Sequence, residues 1–222
     1  TGLRPDQLER AADWLTTTAL ELHAVAIDPR DKAIEEPDEL RRSDGSSVYE
    51  VAGAKLFTSR RIVEAEQRIV AAAGRSDGRR VPVEAVDVAL LESVANGLTL
   101  NPGQAAMVRA MATSGARVQL GIAPAGSGKT TAMATLARAW RESGGTVVGL
   151  SPAAAAAAQL RSQIETHTDT LAKLVWSIEH HDLPTWASSI DQKTLVIIDE
   201  AGTADTLSLE VAINFVLKRG GS

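Results

Sequence analysis

The 222-residue chain has no cysteine and only four histidines, His23, His167, His180 and His181. Disulfides, thiolate zinc sites, iron–sulfur clusters and cysteine nucleophiles are excluded, and the imidazoles are too few for a histidine-rich metal centre. A chain without thiols suits the reducing cytoplasm, which is the compartment the composition predicts. No apolar run approaches the roughly 20 residues that span a bilayer, and the N-terminus lacks the basic-then-apolar layout of a signal peptide. The chain is expected to be soluble, with no membrane partner. A basic surplus is missing as well: the net charge is −5, with 18 acidic and 13 basic side chains in residues 1–98 and ten of each in 99–222. Any contact with nucleic acid must then be local, since the bulk charge does not steer towards phosphate.

What remains is an ordinary globular composition, 44% hydrophobic and 23% charged, able to bury a core. The first residue is Thr1, which suggests an excised or processed piece of a longer protein. Residues 5–27 place Leu8, Leu15 and Leu22 seven apart, with Ala12, Ala19 and Ala26 four residues after each, the spacing of an amphipathic helix. Prolines, an acidic cluster and Asp44-Gly45 mark the next stretch as a solvated connection. Val48–Phe57 reads as a weak strand or hairpin. Ser59 can cap a helix ending near Gly74, and a further helix, Val83–Ala95, closes at Asn96-Gly97. Residues 1–97 are therefore expected to form a small, mainly helical unit.

From residue 98 the pattern changes. Asn101-Pro102 starts a helix running to about Ser114. Apolar runs at Arg117–Ala123, Thr146–Leu150 and Thr194–Ile198 then alternate with helices at Thr130–Glu142, over the alanine-rich segment, at Leu171–Glu179 and at Leu207–Lys218. Such alternation predicts an α/β fold, a parallel sheet covered on both faces.

The turn after the first of these strands reads Ala123-Pro124-Ala125-Gly126-Ser127-Gly128-Lys129-Thr130. This is the phosphate-binding loop pattern with alanine in place of the first glycine. Gly126 and Gly128 allow unusual dihedrals and close backbone approach, so that successive N–H groups, Ser127 included, converge on phosphate oxygens. Lys129 would meet the β and γ phosphates of ATP and Thr130 would ligate Mg²⁺, with Thr131 beside them at the nucleotide. The strand Thr194–Ile198 delivers Asp199 and Glu200 at its C-terminal end, where ligands of open α/β sheets bind. Asp199 could share the magnesium ion with Thr130 while Glu200 polarises the attacking water. Alternatively, the two carboxylates merely begin a helix. Gln104 has two readings: it stands three residues after Asn101, closing a capping box, and it precedes the loop by about the distance at which helicase motors place an adenine-reading amide.

Gln104, the loop, Leu150-Ser151-Pro152 before six alanines, Asp169-Thr170-Leu171-Ala172 and Asp199-Glu200-Ala201 together resemble the first motor domain of RecD-like superfamily 1 helicases. The helicase regions of conjugative relaxases of the TraI and TrwC type are most similar, and Leu56–Gln67 resembles the segment leading into that region. The resemblance spans residues 56–205. It implies an ATP-dependent motor on single-stranded DNA, built on a RecA-like P-loop domain over residues 98–222, with Ser151 and Pro152 at the DNA backbone. Against that last role, polyalanine is simply an excellent helix former, and no lysine or arginine lies between Arg141 and Arg161.

The resemblance also implies elements not found in Thr203–Ser222: a Gly-Asp-x-x-Gln sensor of the γ-phosphate, and a second motor domain donating arginines worth roughly 10³ to 10⁵ in rate. The expectation is an incomplete motor domain that binds nucleotide weakly and hydrolyses it negligibly. Tyr49 is the only tyrosine and no histidine cluster accompanies it, so a DNA-nicking site is not expected. An exonuclease V alpha-subunit-like helicase, a small-molecule P-loop phosphotransferase and a non-catalytic interaction module are the competing readings. Trp176 and Trp186, near His180-His181, could stack on bases, but packing is the role expected of them.

Overall fold

The computed structural model describes residues 4–27, 56–122 and 127–222. The chain divides into two compact units, Thr1–Glu64 and Ala65–Ser222. Among the described residues no helix is long and apolar enough to cross a membrane.

In the first unit, α1 (Pro5–His23) leads into β1 (Ala24–Ile27), which pairs antiparallel with β2 (Leu56–Ser59). The helix expected over residues 5–27 therefore stops at His23. Val25 and Ile27 are β-branched, and a ladder with Leu56–Thr58 satisfies their backbone groups better than another helical turn. Among the described residues nothing covers the predicted apolar face of α1: Leu8, Leu15 and Leu22 are 55%, 59% and 67% exposed. Helix α2 (Arg60–Ala73) begins as expected at Ser59, whose Oγ accepts from the Ile62 N–H at 3.3 Å. The connection expected after Ile27, and residues 48–55 of the expected hairpin, lie outside the described residues.

The second unit contains α3 (Val83–Ala95), α4 (Pro102–Thr113), α5 (Lys129–Glu142), β3 (Thr146–Ser151), α6 (Ala154–Ile164), β4 (Thr168–Thr170), α7 (Leu171–Glu179), α8 (Thr185–Ser188), β5 (Thr194–Ile198) and α9 (Thr206–Lys218). Three parallel strands lie in the order β4-β3-β5, with Leu150 opposite Ile198 and Ser151 opposite Thr170. The α/β class with a parallel, helix-flanked sheet is thus the observed one.

Strand alternation explains why the sheet carries two cores. Leu195 and Ile197 join a cluster with Val147, Leu136, Trp140 and Leu160, whereas Val196 and Ile198 join Leu150, Leu171, Leu174 and Ala212. The first cluster also takes in Val86 and Ala89 of α3 and Val108 and Ala112 of α4. The expected division at 97/98 therefore falls inside a core that α3, α4 and α5 share. Gly149 lets the layers approach: a Cβ there would lie 2.6 Å from Thr168 Oγ1 and 3.0 Å from Leu160 Cδ2. At the other end of the sheet, Trp140 Nε1 donates to the Lys193 carbonyl at 2.7 Å, tying α5 to the start of β5.

The strand expected at Arg117–Ala123 is not formed over the described residues 117–122. A strand needs a ladder partner for its backbone groups, and this segment has none among the described residues; Leu120 and Ile122 stand 76% and 86% exposed. The free edge of β5 instead bonds Ser222, which donates to the Thr194 carbonyl at 3.0 Å and accepts from the Val196 N–H at 2.7 Å. Arg117 secures that arrangement by donating to the Gly220 and Gly221 carbonyls. Together with Arg75, the nearer partner, it also holds the Asp77 carboxyl well below the ordinary carboxylate range.

Candidate functional site

Parallel pairing places the C-terminal ends of β3 and β5 at one edge of the sheet, and Asp199 is fixed there by its N–H, which donates to the Leu150 carbonyl at 2.9 Å. The chain then turns sharply. Glu200 adopts a left-handed conformation, φ 55° and ψ 31°, and Ala201–Thr203 form a 3-10 turn. Left-handed backbone at a residue other than glycine costs energy that the surroundings must offset, and such residues concentrate at functional sites. Glu200 is exposed, and its N–H donates to Asp199 Oδ1 at 3.0 Å.

Helix α5 starts opposite. Its N-cap, Gly128, sits at φ 73°, and neither a capping side chain nor a first-turn carboxylate attends its N-terminus. The first intrahelical N–H to find its carbonyl is that of Ala132, bonded to Gly128. The N–H groups of Lys129, Thr130 and Thr131 thus form an electropositive helix end with no acidic residue in its own first turn. Lys129 Nζ reaches Asp199 Oδ1 at 3.4 Å. Thr130 and Thr131 follow in the first turn, both half-buried. Among the described residues, Ser127 Oγ is buried without a hydrogen-bond partner. Gly126 lies outside the described residues.

Of the two parts open to it in the sequence, Gln104 takes the capping one, and it adds a second contact. Its Oε1 accepts from the Asn101 N–H at 2.7 Å, and its own N–H donates to Asn101 Oδ1 at 2.9 Å, closing the capping box of α4. Its Nε2 donates to the Ser127 carbonyl at 2.7 Å. That second tie, from α4 to the loop before α5, was not foreseen; the only signal for it was the glutamine's distance from the loop. Any adenine reading by this amide must first break both side-chain bonds.

Ser151, expected at a DNA backbone, is fully buried, 0% exposed, and among the described residues its Oγ has no hydrogen-bond partner, because the last residue of β3 points into the protein. Pro152 is half-buried and Ala153–Ala155 are exposed. Of the two tryptophans, Trp186 stacks on His167 at 5.2 Å, whereas Trp176, 45% exposed, stacks on His180 at 4.2 Å with Lys173 Nζ 4.9 Å from its ring.

An ammonium group, an uncapped helix N-terminus, an orphaned buried hydroxyl and a carboxylate converge here, the donor set that a triphosphate and a hard divalent cation require. Among the described residues no cluster of three or more His, Cys, Asp or Glu could hold a metal alone.

Residues 99–222 match a protein-family model described as an AAA domain. No curated protein and no solved structure matches the chain.

Proposed function

Because the chain belongs to the AAA domain family, a family of P-loop ATPases, we propose that residues 98–222 form the nucleotide-binding part of a DNA motor that binds ATP and magnesium at α5 and β5. The observation that carries this reading is the approach of Lys129 to Asp199 beside an uncapped helix N-terminus. Lys129 and the N–H groups around Ser127, Gly128, Thr130 and Thr131 hold the phosphates. Gly126 belongs to the same loop. Thr130 and Asp199 hold the cation, which when bound neutralises charge on the phosphate oxygens. Glu200, exposed and set one residue beyond Asp199, takes the proton of a water that attacks the γ phosphorus as the bond to the bridging oxygen breaks. Gln104 reads adenine once its side chain has left Asn101 and Ser127.

The finer reading, a RecD-like helicase of the conjugative relaxase kind, draws its support from the Gln104, Asp169–Ala172 and Asp199–Ala201 segments. With Ser151 buried, the single strand is assigned to Pro152 and the exposed, uncapped start of α6, where backbone N–H groups can meet phosphates. The test is nucleotide affinity and ATP hydrolysis with and without oligothymidylate. A motor responds to the DNA, because coupled ligands shift each other's affinities by the same factor. Response to a small hydroxyl acceptor and indifference to DNA would instead identify a phosphotransferase.

A further inference from the structure

Asp199 is not a free carboxylate waiting for a cation. Its Oδ1 already receives the Glu200 N–H at 3.0 Å and faces Lys129 Nζ at 3.4 Å. The acid is held from both sides: its main chain is tied to β3 through Leu150, while the lysine projects from the first turn of α5. The pair is electrically neutral, and Glu200, the adjacent acid, is exposed to solvent.

We propose that Lys129 is the resident counter-cation of Asp199 in the nucleotide-free protein, and that it closes the carboxylate to divalent ions until a triphosphate draws the ammonium away. This rests on the reading of α5 and β5 as a nucleotide site. Magnesium surrenders its hydration shell reluctantly and needs concentrated negative charge to do so. A carboxylate neutralised by an ammonium group offers little, and the ammonium repels the incoming ion. A triphosphate changes both terms. Several negative charges at the uncapped end of α5 compete for Lys129 against the single charge of Asp199, and the phosphate oxygens supply the remaining cation ligands. Metal therefore enters with or after the nucleotide, and one lysine governs both ligands with opposite signs.

Those opposite signs make the device testable without measuring turnover. Mn²⁺ serves as the probe, its free fraction read by electron paramagnetic resonance, with the full chain at neutral pH. Wild type should bind Mn²⁺ weakly alone and tightly with a non-hydrolysable ATP analogue. Lys129→Ala should bind Mn²⁺ alone about tenfold more tightly, as removal of one positive charge a few ångströms from a partly exposed site implies, while losing the tightening by nucleotide. Asp199→Asn added to Lys129→Ala should abolish the gain, and Lys129→Arg, which keeps the charge, should not show it. Thermal melts establish that each variant is folded, and Lys129→Gln replaces the alanine variant if that one is not. If nucleotide tightens Mn²⁺ in wild type but Lys129→Ala binds Mn²⁺ alone no better, the counter-cation role is wrong and the nucleotide site stands. If nucleotide does not affect Mn²⁺ in wild type, the site reading itself fails.

Discussion

Replacing Gly128 by alanine tests how the phosphate loop is supported. Gly128 occupies φ 73°, and a Cβ built on it would lie 2.4 Å from Gln104 Nε2. Two costs follow. Left-handed backbone at an alanine costs about 1–2 kcal/mol. The glutamine, a flexible side chain, can swing aside, but it then loses its 2.7 Å bond to the Ser127 carbonyl, worth about 1 kcal/mol net. Together they amount to about 2–3 kcal/mol, which for a chain of this length lowers the melting temperature by about 5–10 °C. The discriminating measurement is a double-mutant cycle in urea. In a Gln104→Ala background the steric and hydrogen-bond costs are already gone, so Gly128→Ala should cost only the backbone part, and the two substitutions should couple by about 1 kcal/mol. Additivity within about 0.5 kcal/mol would refute the claim that Gln104 buttresses the loop.

Two further predictions concern pH and the helices flanking the site. Asp205 caps α9 through the Ser208 N–H at 2.8 Å, and its hydrogen bonds to Ser208 lower its pKa from 3.8. Its contribution is therefore fully present above that value and is lost as pH falls through the lowered one. Asp205→Ala should cost about 1 kcal/mol in urea at neutral pH, with the deficit shrinking below about pH 4. Glu142 on α5 is displaced oppositely: burial first, and then the neighbouring Glu92, raise its pKa from 4.5. Its effect on stability is most favourable below 4.5 and declines as pH rises through the raised value. Glu142→Gln should match wild type in thermal melts at pH 4 and exceed it at pH 7.

Much of the second unit was legible because its signals are local. Asn101-Pro102 sets the start of α4 and, in the first unit, Ser59 caps α2, each through a side chain acting within a few residues of itself, and the apolar run Thr194–Ile198 is the strand expected. The outcomes that depended on distant partners were not legible. Val118–Ile122 has the composition of a buried strand, but a strand exists only where another offers its backbone. Thr168–Thr170 forms β4 despite being three residues long, because Gly149–Ser151 provides the ladder. Leu8, Leu15 and Leu22 have helical spacing, which cannot say whether anything covers them. Ser151 stands beside residues that do reach solvent, and only the register of β3 decides that its hydroxyl points inward. At the site, residue types and spacing indicated the convergence of Lys129 with Asp199, whereas the engagement of Gln104 with the loop appears only once α4 and α5 are packed together.

The central claim is that α5 and β5 grip a nucleoside triphosphate through Lys129. Titrating the chain with a fluorescent ATP analogue in the presence of magnesium, for wild type and Lys129→Ala, addresses it most directly. Binding by wild type and a loss of about tenfold or more in the variant is the predicted result, since charge-assisted contacts to phosphate contribute about 1.5–3 kcal/mol. Equal affinity in the two proteins would contradict it.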